Sequence, residues 1–100
     1  MKGYYSKEPD LSKIIYEVGD GTSMEKAIVI KFAENERNGI ASEYAYVEKK
    51  YGKKIIDWKL LNQSSDSKND KKFDVLTIQI LQSSQVLSIS FDITEFFGKL

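Results

Sequence analysis

Asp92 and Glu95 lie three positions apart in the segment SISFDITEFFGKL. Carboxylates are groups that enzymes use as general acids and bases, so this spacing raises the question of catalysis. The same spacing is typical of a helix N-terminus, with Asp92 as the N-cap and Glu95 at the third helical position. Both charges would then lie at the positive end of the helix dipole. We therefore predict a structural cap followed by a short helical turn.

Two other segments carry residue types that could bind ions. Glu34 and Glu36 in AENERNG precede Glu43, but the segment lacks the alternating oxygen ligands and the terminal Glu of a calcium-binding loop. Residues 19–23, GDGTS, form a glycine-rich turn without the Lys of a phosphate-binding loop, and Asp20 would repel an anion. We predict neither a metal site nor a phosphate site.

The composition removes the commonest routes to catalysis. The chain contains no Cys and no His, so thiolate nucleophiles, Cys-ligated metals and the usual general base near neutral pH are all excluded. An enzyme would have to use Asp, Glu, Lys, Tyr, Ser or Thr in a pocket with convergent carboxylates. We keep that enzyme as a third hypothesis, and we predict no catalytic, cofactor-binding or metal-binding residues.

The most basic part of the chain extends from residue 49 to residue 72. Tyr51 and Trp58 lie within it and could stack on bases beside a lysine-rich surface. Against this, Lys plus Arg and Asp plus Glu both number 15, and Arg37 is the only Arg. A weak single-stranded nucleic-acid binder is therefore the alternative function. Its surface would contain Lys49, Lys50, Lys53, Lys54, Lys71 and Lys72.

A helix at about residues 39–52 is the clearest predicted element. Asn38 can cap its start, and Gly52 followed by two lysines is typical of a helix end. One face would carry polar residues that include Ser42 and Glu43. The opposite face would be a buried stripe at helical spacing. That stripe contains Ile40, Tyr44, Val47 and Tyr51.

Strand patterns lie on both sides of this helix. Two precede it, at residues 13–18 and at about 26–33, although a single helix over 23–35 is an alternative for the second. Three follow it, and their period-two alternation is typical of an antiparallel sheet. They cover residues 55–63, 73–81 and 86–93. The polar segment 64–72 between the first two of these is predicted to be an exposed loop.

The elements indicate one α+β domain over residues 1–100, with residues 1–10 loosely ordered. The predicted order is ββαβββ. One main helix packs on a largely antiparallel sheet of four to five strands, and a short C-terminal helical turn follows. No part of the chain resembles a signal-peptide core or a membrane-spanning segment of ~20 apolar residues. We therefore expect a cytoplasmic protein, and the Lys, Ile and Asn bias indicates a bacterial source.

The leading functional hypothesis is a small, non-enzymatic, intracellular protein that binds another protein or associates with itself. An inhibitor, an immunity-type partner or an accessory subunit would each fit. The hypothesis depends on the missing catalytic residue types and on a polar sheet face left free by the single helix. The predicted partner surface consists of Tyr46, Asp57, Lys59, Thr77 and Gln79.

Overall fold

A computed structural model describes residues 9–100, and in this part of the chain one helix packs on one five-stranded sheet. The α+β class and the order ββαβββ are confirmed. The elements are β1 (Ile15–Val18), β2 (Ile28–Lys31), α1 (Glu36–Tyr51), β3 (Trp58–Lys68), β4 (Lys71–Ile80) and β5 (Val86–Asp92). Most of the segment predicted to be loosely ordered, residues 1–8, lies outside the described residues.

The strands lie side by side in the order β1-β2-β5-β4-β3. Their pairings are antiparallel except between β2 and β5, where Ile28 and Val29 pair in parallel with Phe91 and Asp92. The strand predicted at about 26–33 is confirmed as β2, and the alternative helix over 23–35 is wrong. A largely antiparallel sheet with β5 near its centre results.

The core lies between α1 and the sheet. Alternate residues of β4 and β5 point toward the helix, and Leu76, Ile78 and Phe91 are fully buried there. Trp58 at the start of β3 is also fully buried, and its indole Nε1 donates a hydrogen bond to the Gly52 carbonyl oxygen, 2.7 Å away. The period-two pattern of the sequence therefore predicted the inward face of these strands correctly.

The prediction that residues 64–72 form a loop is wrong. β3 and β4 continue through this segment as a hairpin, and only Asn69 and Asp70 form the turn between them. Their φ angles are 53° and 64°, the left-handed region that a two-residue hairpin turn of this kind requires and that Asn and Asp tolerate. β3 lies at the edge of the sheet, so polar side chains such as Ser64 remain in water while the backbone pairs.

The helix begins earlier than predicted. Asn35, not Asn38, is the N-cap, and its side-chain oxygen accepts a hydrogen bond from the Asn38 backbone N–H, 2.9 Å away. The predicted end at Gly52 is confirmed, since its N–H donates to the Glu48 carbonyl. The difference at the start arises because two Asn residues lie within one helical turn, and either could serve as a cap.

The buried face of α1 is rotated from the predicted stripe. Ile40 is 37% exposed, whereas Ser42 and Glu43, predicted to face solvent, are both fully buried. The small residue Gly39 explains the rotation, because a Cβ atom there would lie 2.5 Å from the ring of Phe96. The helix therefore turns this small, polar side toward the sheet, and Val47 is the member of the predicted stripe that is fully buried.

The C-terminal turn is stabilised by Asp92. Its Oδ1 accepts hydrogen bonds from the backbone N–H and the hydroxyl of Thr94, at 3.0 and 2.6 Å, as predicted for a cap. Glu95 does not cap this turn, so that part of the prediction is wrong. Its Oε1 accepts from the Phe32 N–H, 2.5 Å away, and its Oε2 lies 3.7 Å from Lys31 Nζ.

Candidate functional site

Glu43 is a carboxyl group enclosed between α1 and the sheet. No part of its side chain reaches solvent, and no N–H or hydroxyl group of the described residues donates to either of its oxygens. Its polar neighbour is the carboxyl group of Asp74 on β4. Buried polar groups in proteins are almost always hydrogen-bonded, so the placement is unusual.

These two residues are termed the carboxyl pair, and within it Glu43 is the group that burial holds neutral. Burial, the hydrogen bond to Asp74 and the charge of Asp74, in that order of size, together raise the pKa of Glu43 from 4.5 to about 10. Glu43 therefore keeps its proton and donates it in a hydrogen bond to Asp74. The carboxyl pair carries one negative charge, because two carboxylates in contact do not both ionise.

Asp74 is held in place by the β3–β4 hairpin. It lies opposite Ser65 of β3 and Phe91 of β5. The Ser65 hydroxyl donates to Asp74 Oδ1 over 2.7 Å. This contact depends on β3 continuing as a strand beyond residue 63, so the segment predicted to be a loop supplies part of the site.

A groove opens beside Asp74, between α1, the β3–β4 hairpin and the C-terminal turn. Its volume is about 120 Å³. All four polar residues of its lining have partners: besides the Ser65–Asp74 contact, Glu36 Oε2 accepts from the Gly98 N–H and Gln63 Oε1 accepts from the Tyr44 hydroxyl, both over 2.7 Å. The lining consists of Glu36, Ile40, Gln63, Ser65, Asp74, Ile93, Phe96 and Phe97. The groove thus combines carboxyl groups with an apolar wall.

Lysine ammonium groups do not balance the charge of the carboxyl pair. The ion pairs found between described residues are Lys31–Glu95, Lys68–Glu25 and Lys71–Asp92, and none of them includes Glu43 or Asp74. Within residues 9–100, no three carboxylates converge as they would around a metal ion. What the site offers chemically is one buried negative charge beside a small opening.

The predicted partner surface is divided between the two faces of the sheet. Tyr46 lies on the helix side, 5.2 Å from the Tyr16 ring and 5.7 Å from the Phe91 ring, centroid to centroid. On the opposite face, three of the predicted residues share one side of β3 and β4; these are Lys59, Thr77 and Gln79. Asp57 lies in the turn before β3 and accepts a hydrogen bond from the Lys53 N–H.

The predicted nucleic-acid surface is also divided. Four of its lysines, at positions 49, 50, 53 and 54, lie near the end of α1. This group lies beside the C-terminal end of β4, because Lys54 forms a backbone bridge with Trp58, and Trp58 pairs with the last residue of β4. Lys71 and Lys72 lie at the opposite end of β4, which is nine extended residues, or roughly 30 Å, from its last residue. Trp58 is buried and has no face free for a base. The structure therefore does not bring the six lysines together.

The sequence carried two signals for the carboxyl pair. Asp74 continues the inward-facing series of β4 that contains Leu76 and Ile78. Glu43 lies four residues after Gly39 and four before Val47, on one side of the helix. Both series therefore place an acidic residue, Asp74 or Glu43, on the side that faces the core. The prediction missed this because it assigned the buried side of the helix to the stripe that contains Ile40.

No family model matches the chain, and comparisons with the curated proteins and with the solved structures found no match. Within residues 9–100, no helix has both the length and the apolar character needed to cross a membrane, and α1 has 16 residues.

Proposed function

We propose that this protein is a non-enzymatic protein-interaction module, and that the groove beside Asp74 is part of its contact surface. The observation that carries the proposal is Glu43, a fully buried carboxyl group without a donor. A pKa raised from 4.5 to about 10 means that keeping Glu43 buried costs on the order of 3 kcal/mol at pH 7. A group that destabilises the fold is retained for a purpose other than stability.

The geometry of this groove supports binding in preference to catalysis. A substrate has no access to Glu43, because its carboxyl oxygens are enclosed. The groove, about 120 Å³ in volume, is smaller than the roughly 300–1,000 Å³ of small-molecule pockets. An opening of this size accommodates a single side chain of a partner protein. The absence of His and Cys from the chain agrees with this.

The proposal is compatible with three roles: an inhibitor, an immunity-type partner, or an accessory subunit. Each of them requires lasting contact with another protein and no chemical step by this chain. The Lys, Ile and Asn bias supports a bacterial setting, and we propose the cytoplasm as the compartment.

The test blocks the groove without changing its charge. Ile40 lines the groove, so Ile40→Trp fills it, while Ile56→Trp makes the same change at another exposed isoleucine outside the groove lining. Partners are captured from the native host with the wild-type protein, purified, and titrated calorimetrically against all three proteins. We expect Ile40→Trp to lower the affinity by about tenfold or more and Ile56→Trp to leave it unchanged.

Two results would contradict the proposal. One is that no partner binds the wild-type protein when both are purified. The other is that Ile40→Trp, shown by its thermal unfolding to be folded, binds the partner as tightly as Ile56→Trp does.

A further inference from the structure

We infer that the groove receives a lysine side chain of the partner protein, with its ammonium group at Asp74. The inference rests on the proposed function, since it names what the partner inserts. It follows from three properties of the groove: its uncompensated charge, its apolar wall, and the number and arrangement of its oxygen atoms.

The charge comes from the carboxyl pair. Glu43 donates its proton to Asp74, so the single negative charge resides mainly on Asp74, which lines the groove. Glu36, also in the lining, is occupied by the Gly98 N–H and adds a second negative charge near the opening. A cation from outside would meet attraction with little competition from this chain, and in a poorly solvated site that attraction is stronger than in water.

The wall suits an alkyl chain. Ile40, Ile93, Phe96 and Phe97 line the groove, and Phe97 is 50% exposed. Lysine buries its methylene groups along such surfaces while its charged end finds a polar partner. The chain already places an ammonium group on this aromatic ring, since Lys72 Nζ lies 5.1 Å from the centroid of Phe97. Lys72 is not part of the groove lining.

The oxygen atoms favour an ammonium group over a guanidinium group. Besides Glu36 near the opening, three residues of the lining carry acceptor oxygens, Asp74, Ser65 and Gln63, and an ammonium group has three donors to share among them. The Ser65 hydroxyl and Glu43 already occupy acceptor sites of Asp74, which leaves fewer sites for the two parallel hydrogen bonds of a guanidinium group than for the single bond of an ammonium group. At roughly 30 Å³ per water molecule, the groove holds about four waters, enough for a narrow alkylammonium chain.

The experiment uses the full chain and small probes of known chemistry. N-acetyl-lysine-N-methylamide, its Nε-acetylated form and the corresponding arginine compound are titrated separately, with binding followed by amide chemical shifts in NMR. We expect the lysine probe to give saturable shifts at Ser65, Asp74 and Phe97, and the Nε-acetylated probe, which lacks the charge, to give none. This comparison is made on the wild-type protein and so does not depend on any variant folding.

Three variants then locate the charge. Asp74→Asn is expected to weaken lysine-probe binding by about tenfold or more, because it removes the negative charge that contacts the ammonium group. Glu43→Gln should stay within about threefold of wild type, since Asp74 keeps its charge and a donor. Asp66→Asn, an exposed position outside the groove lining, is the matched control and should not change binding.

The inference is overturned if the Nε-acetylated probe binds equally well, if the arginine probe binds more tightly, or if folded Asp74→Asn binds like wild type. Its failure is distinguishable from failure of the proposed function. If Ile40→Trp abolishes partner binding while Asp74→Asn does not, the groove is a protein contact that does not depend on a cation.

Discussion

Asp74 and Asp92 occupy neighbouring positions on adjacent strands but face opposite sides of the sheet. Asp74 pairs with Phe91, and Asp92 pairs with Phe73, so the two acids lie at the same end of the β4–β5 ladder. Both are almost fully buried. Asp92 accepts two hydrogen bonds from Thr94 and lies 4.0 Å from Lys71 Nζ.

The difference lies in what each acid leaves unsatisfied. The donors around Asp92 close a turn and stabilise the charge, and this is a complete structural role. Asp74 has one hydroxyl donor, from Ser65, and its second polar neighbour, Glu43, is an acid that must keep a proton to be there. Burial of a carboxyl group therefore does not by itself indicate function. The two regions differ in how many hydrogen-bond donors and cations surround the buried carboxylate.

Glu43→Gln should give the largest change in the free energy of unfolding. Below pH 4.5 Glu43 is protonated in both the folded and the unfolded chain. Between pH 4.5 and about 10 the unfolded chain releases the proton that the folded chain retains, so this residue lowers the free energy of unfolding by ~1.4 kcal/mol per pH unit. At pH 7 the variant should be more stable than wild type by up to about 3 kcal/mol, and the gap should close toward pH 4.5.

Urea unfolding at pH 5, 7 and 9 measures this difference. Glu48→Gln, at an exposed position of the same helix, is the matched control and should follow the wild-type pH profile. Parallel profiles for wild type and Glu43→Gln would show that Glu43 is not held neutral in the folded state.

Asp92→Ala tests the structural role of Asp92. It should lower the free energy of unfolding by about 1–2 kcal/mol, because both Thr94 donors lose their acceptor. For a domain of this size the melting temperature should fall by roughly 5–15 °C. Asp92→Asn should retain most of the stability, since Asn caps about as well as Asp. An unchanged melting temperature for Asp92→Ala would contradict the structural role.

Ser65→Ala should give the smallest effect. It removes the hydroxyl donor of Asp74 and should lower the free energy of unfolding by about 1 kcal/mol. The loss is limited because Asp74 still accepts the proton of Glu43. Ser64→Ala, on the adjacent exposed residue of the same strand, should change stability by less than about 0.5 kcal/mol. Equal effects of the two variants would show that Ser65 does not support Asp74.

Alternation in the second half of the chain predicted most of the sheet. Leu76, Ile78 and Phe91 point inward as the period of two requires, and the strand order along the chain followed from the turn signals. The β3–β4 hairpin was missed beyond residue 63 because a strand at a sheet edge needs no apolar side chains. Polar composition predicts exposure to water, and a paired backbone is compatible with that exposure.

The carboxyl pair was harder to predict, because it depends on how two distant segments meet. Ile40 is more hydrophobic than Ser42, so the pattern favoured burying Ile40. The close contact between Gly39 and Phe96 rotates the helix the other way. Only the three-dimensional contact between α1 and β4 shows that Glu43 faces Asp74, since neither segment carries information about the other.

The position of β5 has a consequence for how the chain is made. β5 lies between β2 and β4 but follows both in the sequence, so on a ribosome the β1–β2 and β3–β4 hairpins emerge before the strand that joins them in the sheet. Until Val86–Asp92 leaves the exit tunnel, the central strand between β2 and β4 is missing, and the edges of both strands stay open. The nascent chain therefore completes its sheet in one late step, and until then the open edges of β2 and β4 are sites where another chain could pair.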